Sequence, residues 1–77
     1  MKTVSISLNS IEKVKSFVNE IANFDCDFDL ISGHYTIDAK SLMGIFSLDL
    51  SKPIFLNIHA EDHELPEILE VLKPYIS

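Results

Sequence analysis

Apolar residues recur along this chain in two periods, and the switches between them mark the elements. Thr3–Leu8 alternates, with Val4, Ile6 and Leu8 on one side and Ser5 and Ser7 on the other, which predicts a half-buried strand. Ile11, Val14, Phe17, Val18, Ile21 and Ala22 then recur at helical spacing, while Glu12, Lys13, Lys15, Asn19 and Glu20 can face water. A helix from about Ser10 to Phe24 follows, with Asn9 placed to cap it in a capping-box-like pairing with Glu12. Cys26, Phe28 and Leu30 next alternate with Asp25, Asp27 and Asp29. After a break at Ser32-Gly33 the alternation resumes at Tyr35, Ile37 and Ala39, so the two runs read as a hairpin.

The stretch Ala39–Leu50, AKSLMGIFSLDL, predicts a short helix that starts at Ser41 and ends near Leu48. It carries Leu42, Met43, Ile45, Phe46 and Leu48, more apolar side chains than one buried face needs. Ile45 and Leu48, with Leu42 or Ser41, can share the inner face, which leaves Met43 and Phe46 outward. Pro53 then opens a last strand with Ile54, Leu56, Ile58 and Ala60 inward and Phe55, Asn57 and His59 outward. Leu65, Ile68, Leu69 and Leu72 line one face of a final helix. That helix begins at Asp62 or His63 and takes Pro66 in its first turn, where a missing N–H costs little. Pro74 marks its end, because it disfavours helix at Lys73. The order β-α-β-β-α-β-α gives an α+β domain over residues 1–77: a four-stranded antiparallel sheet with helices on one face and water on the other. A domain of this size buries only about 60% of the surface its unfolded chain exposes.

Charge narrows the partners. Six basic and twelve acidic residues leave a formal charge of −6, and the basic residues are scattered. Nucleic acid and anionic membrane surfaces both require clustered cations, so proteins are the expected partners. Cys26 is the only cysteine, so no internal disulfide is expected. The opening residues lack the apolar run of a signal peptide, and no segment reaches membrane-span length. A cytoplasmic protein is the expectation.

Chemistry-bearing residues are sparse. His59 and His63 have a metal-ligand spacing, but one closes a strand and the other opens a helix, which separates their faces. His34 lies beside the hairpin turn. Asp25, Asp27 and Asp29 form a solvated strand face, which aligns too few oxygens for a divalent ion. With two glycines in all, no phosphate-cradling loop exists. No metal or cofactor is expected, and Cys26, on the apolar side of its strand, reads as a packed thiol.

The element order, together with Lys40–Leu48, resembles the HPr fold of the sugar phosphotransferase system across nearly the whole chain. The Lys40–Leu48 segment is similar to the one that carries the regulatory serine of HPr in Gram-positive bacteria, and Ser41 stands in that serine's place. Phosphate-relaying HPr proteins carry a histidine in a Gly-x-His-x-Arg-Pro motif before the first long helix. Here the region reads Leu8-Asn9-Ser10-Ile11-Glu12-Lys13, with neither histidine, arginine nor proline. A second departure is Asp49, where such relatives often place glycine. There Asp tolerates a left-handed turn less well and sets a negative charge against the helix dipole.

Two readings of Ser41 therefore stand together. It is a helix cap, a role worth about 1 kcal/mol. By the resemblance, it is also a switch at which a phosphate adds roughly −1.5 to −2 charge, with Lys40 placed to pair with it and Asp38 opposing it. Ser10, Lys13, Lys40, Leu42, Met43 and Phe46 are the expected partner-binding residues. The resemblance implies a non-enzymatic regulatory or adaptor protein of carbon metabolism, met by an HPr-type kinase, a transcriptional regulator or a phosphotransferase component. Alternatives are a phosphocarrier that uses His59, His63 or Ser10, and a structural or dimerising domain.

Overall fold

The computed structural model describes residues 2–77. Strands β1 (Lys2–Ile6), β2 (Asp27–Ser32), β3 (Tyr35–Asp38) and β4 (Ile54–His59) form one antiparallel sheet in the order β1-β4-β2-β3. Helices α1 (Ile11–Ile21), α2 (Leu42–Phe46) and α3 (Leu65–Leu72) follow the expected order, and a 3₁₀ turn spans Lys73–Tyr75. Register follows from burial. Ile6 pairs with Ile54, Phe28 with Ile58 and Leu30 with Leu56, so their side chains share the helix-covered face. Slipping by one residue would turn each of them to water. Val14, Phe17 and Ile21 of α1, Ile45 of α2, and Ile68 and Leu72 of α3 close the core over that face. Among the described residues, no helix is long and apolar enough to cross a membrane.

Element ends differ from the sequence expectations, each for a local reason. β1 stops at Ile6, because the Ser7 N–H donates to the Tyr75 carbonyl at 2.7 Å instead of continuing the β4 ladder; Leu8 is nonetheless buried. α1 stops at Ile21, and the N–H groups of Asn23 and Phe24 turn to Glu20 and Ile21 in a tighter i→i−3 pattern. Its cap is Ser10 and not Asn9: the Ser10 hydroxyl accepts the Lys13 N–H at 3.1 Å.

α2 holds five residues, not eight. The Ser47 hydroxyl donates to the Gly44 carbonyl at 2.6 Å, a side-chain competitor for the helix ladder. α3 starts later than Asp62 or His63, because Glu61–Glu64 forms a turn of its own. There the Glu64 N–H reaches the Glu61 carbonyl and the Glu64 carboxylate accepts the Glu61 N–H. Pro66 does fall in the first turn of α3. That helix ends at Leu72, and Pro74 sits in the 3₁₀ turn beyond it. Tyr35 shares its strand face with the half-buried Ile37 but stands 70% exposed, because β3 is an edge strand that the helices do not cover at that point.

Candidate functional site

Two helix starts make up the region singled out in the sequence. Because Ile6 lies opposite Ile54, the chain leaves β1 beside the start of β4 and enters α1 from that end of the sheet. Ser10 is extended (φ −148°, ψ 156°), and its hydroxyl is engaged by the first turn of α1. Ile11 directly follows and is 62% exposed. The spacing puts Ile11 on the buried face of the helix; at the first helical position its side chain is left largely uncovered. Its placement at a helix terminus was the only available signal.

The second start follows β3. The Asp38 carbonyl accepts the Ser41 N–H at 3.0 Å, and its carboxylate accepts the Lys40 N–H at 2.9 Å, an Asx turn that delivers Ser41 to the head of α2. Ser41 is exposed, and its hydroxyl accepts the Gly44 N–H at 3.3 Å. Ile45 is fully buried, while Met43 is 82% and Phe46 40% exposed, the outward pair expected from the spacing. Leu42 is half-buried against the core. α1 and α2 touch, and a groove of about 360 Å³ between them is lined by Leu8, Asn9, Ser10, Ile11, Phe46, Leu50 and Ser51. The fold thus brings Ser10 and Phe46 together and adds Ile11 and Leu50. Met43 and Ser41 lie on α2 outside the groove lining.

Two charges find partners within the fold. Lys40, the residue expected to pair with a phosphate on Ser41, in the unmodified chain donates its ammonium to the Phe24 carbonyl at 2.7 Å and lies 5.7 Å from the Phe28 ring centroid. It ties the α1 exit to the sheet. Lys13 is half-buried on α1. Asp49 occupies no left-handed turn: among the described residues only Gly33 has positive φ. Its carboxylate accepts the Ser51 hydroxyl at 2.6 Å and the Ser51 N–H at 3.1 Å, and these bonds hold its pKa below the usual carboxylate value. A lowered carboxyl pKa favours the turn above the ordinary carboxylate pKa, and that contribution disappears as pH falls through the lowered value.

None of the histidines stands at the α1 tip. His59 closes β4 at the opposite end of the sheet, roughly 17 Å from Ile54 at strand rise, where its Nε2 meets the Asp29 carboxylate at 2.7 Å. His63 lies in the turn after β4. His34 sits in the β2–β3 hairpin, on the tip's end of the sheet, but in a different cleft with Tyr35, Leu48, Asp49 and Lys52. Among the described residues no three His, Cys, Asp or Glu groups gather as a metal would require.

Cys26 is half-buried just before β2, and desolvation, with Glu64 as the next cause, pushes its thiol pKa up. Less thiolate at a given pH means slower alkylation. Iodoacetamide at pH 7.5 should therefore label Cys26 several-fold more slowly than free glutathione. Equal rates would show an open, unperturbed thiol.

A family model described as the PTS HPr component phosphorylation site matches residues 12–77, beginning two residues past Ser10. Solved structures agree. The crystal structure of HPr-C-His from Thermoanaerobacter tengcongensis has a TM-score of 0.73 and 26% identity, with 94% of this chain and 90% of that one covered. The phosphocarrier protein HPr from Bacillus anthracis str. Ames has a TM-score of 0.72 and 28% identity, with 99% and 94% covered. No curated protein matches significantly.

Proposed function

The chain belongs to the HPr family of the phosphotransferase system, and from that premise we propose that it is a non-enzymatic, cytoplasmic regulatory or adaptor member that acts through protein contacts. The observation that carries this reading is the tip of α1. A hydroxyl already engaged by the Lys13 N–H stands there, followed by an exposed isoleucine. A phosphoramidate needs an imidazole nitrogen as nucleophile, and the three imidazoles lie in other parts of the fold. In place of transfer chemistry the tip offers an apolar groove, Ile11–Phe46–Leu50, with Met43 nearby on α2. Flexible Met beside an aromatic suits adaptable docking.

Ser41 is the modifiable position in this reading. Its hydroxyl is solvent-exposed, and its partner group is a single backbone N–H. An HPr-type kinase, a transcriptional regulator or another phosphotransferase component is the class of partner. Incubation with an HPr-type kinase and magnesium–nucleoside triphosphate should add one acid-stable phosphate to the Ser41 peptide, read by mass spectrometry. Ser41→Ala should remove all incorporation and, through loss of the cap, lower stability by about 1 kcal/mol. Absence of modification on the wild type would overturn the switch.

A further inference from the structure

We propose that Gly44 makes room for the phosphoryl group on Ser41, an inference that rests on Ser41 being the modified residue. Gly44 lies in the third position of α2 with no positive φ, so the backbone there does not require glycine. In a helix interior glycine is in fact the poorer choice beside alanine. What distinguishes the position is its neighbours. A Cβ at residue 44 would stand 3.1 Å from the Ser41 hydroxyl oxygen, 3.5 Å from the Ser41 Cβ and 3.4 Å from the Ile37 Cδ1. The contact to the hydroxyl is tighter than side chains normally accept. A bare hydroxyl can yield by a small rotation about χ1.

Phosphorylation removes that freedom. The Ser41 oxygen attacks the γ-phosphorus of a nucleoside triphosphate held by the kinase. An O–P bond forms, the bond to the nucleoside diphosphate breaks, and the hydroxyl proton passes to a base on the kinase. The oxygen becomes a bridging ester atom carrying three further oxygens, so a shift away from residue 44 must move the whole group. A methyl at position 44 is then pinned between the ester oxygen and Ile37. Gly44 is a positioning residue for the modified state, and the unmodified fold does not need it.

The test places phosphoserine at position 41 during synthesis of the full chain, so that no kinase is involved. Gly44→Ala should leave the melting temperature of the unmodified protein unchanged or higher, and lower that of the phosphoserine form by about 5 °C or more. Ile37→Val, which removes Cδ1, should recover at least half of that loss in the Gly44→Ala background. Equal shifts in the modified and unmodified forms, or no recovery, would overturn the role of Gly44. Kinase treatment of the wild type is scored separately: its failure would remove the switch reading, while the melting data still decide the packing at Gly44.

Discussion

Phe17→Ala should remove a quarter or more of the protein's total stability at 25 °C. Phe17 is fully buried on α1, and its ring meets Tyr75 edge-to-face at a centroid distance of 5.6 Å and an interplanar angle of 75°. Truncating a buried phenylalanine costs about 3–5 kcal/mol. At about 0.05–0.15 kcal/mol per residue, a chain of this length has a total stability of only ~4–12 kcal/mol. The loss should appear in urea denaturation and as a fall in melting temperature of more than ~12 °C. Tyr75→Phe provides the control, since it keeps the ring and removes only the hydroxyl bonded to Ser16, with an expected cost near 1 kcal/mol. If both variants melted within ~4 °C of wild type, α1 would not be seated on the sheet as described.

The second large effect is a complete absence. Phosphoenolpyruvate and Enzyme I should transfer no acid-labile phosphate to this chain above background, whereas a family member with the tip histidine accepts it. The tip offers a capped serine, and Glu12 stands one residue beyond Ile11, where a negative charge disfavours an incoming phosphoryl group. His59 and His63 lie at the far end of the sheet, and His34 is separated from β1 by β4 and β2. Labelling that is lost to acid, and abolished by replacing any one of His34, His59 or His63, would restore the phosphocarrier reading. Acid-stable label on Ser41 from a kinase is compatible with the proposed function, so the two chemistries are read apart on the same gel.

How much of this site was legible in sequence differs residue by residue. Met43 and Phe46 were readable as outward because a five-to-eight-residue helix that buries Ile45 has only one way to face them. Ile11 was not readable, since a helical period records which side a residue takes and not whether neighbouring elements cover it at the helix end. The contact Lys40 makes in the unmodified chain was not readable for a related reason. Its sequence neighbour is Ser41, but a long side chain reaches across space, here to the carbonyl of Phe24. Asn9 and Ser10 are both good caps, and only the extended backbone at Ser10 decides between them.

Local periodicity by itself determined the kind and order of the main elements and the inward sets of β1, β2 and β4, because the spacing of apolar side chains fixes which face of an element can be buried; Tyr35 on the edge strand β3 is the exception. It also determined the missing imidazole at the tip of α1, since chemistry that a residue type lacks cannot be supplied by folding. Only the tertiary structure decided where elements stop and what they meet: the closing of β1 by Tyr75 and Ser77, the groove joining Ile11 to Phe46, and the narrow space at Gly44 between Ser41 and Ile37. Those contacts link residues distant along the chain or depend on distances of a few tenths of an ångström, and neither is encoded in a pattern of neighbours.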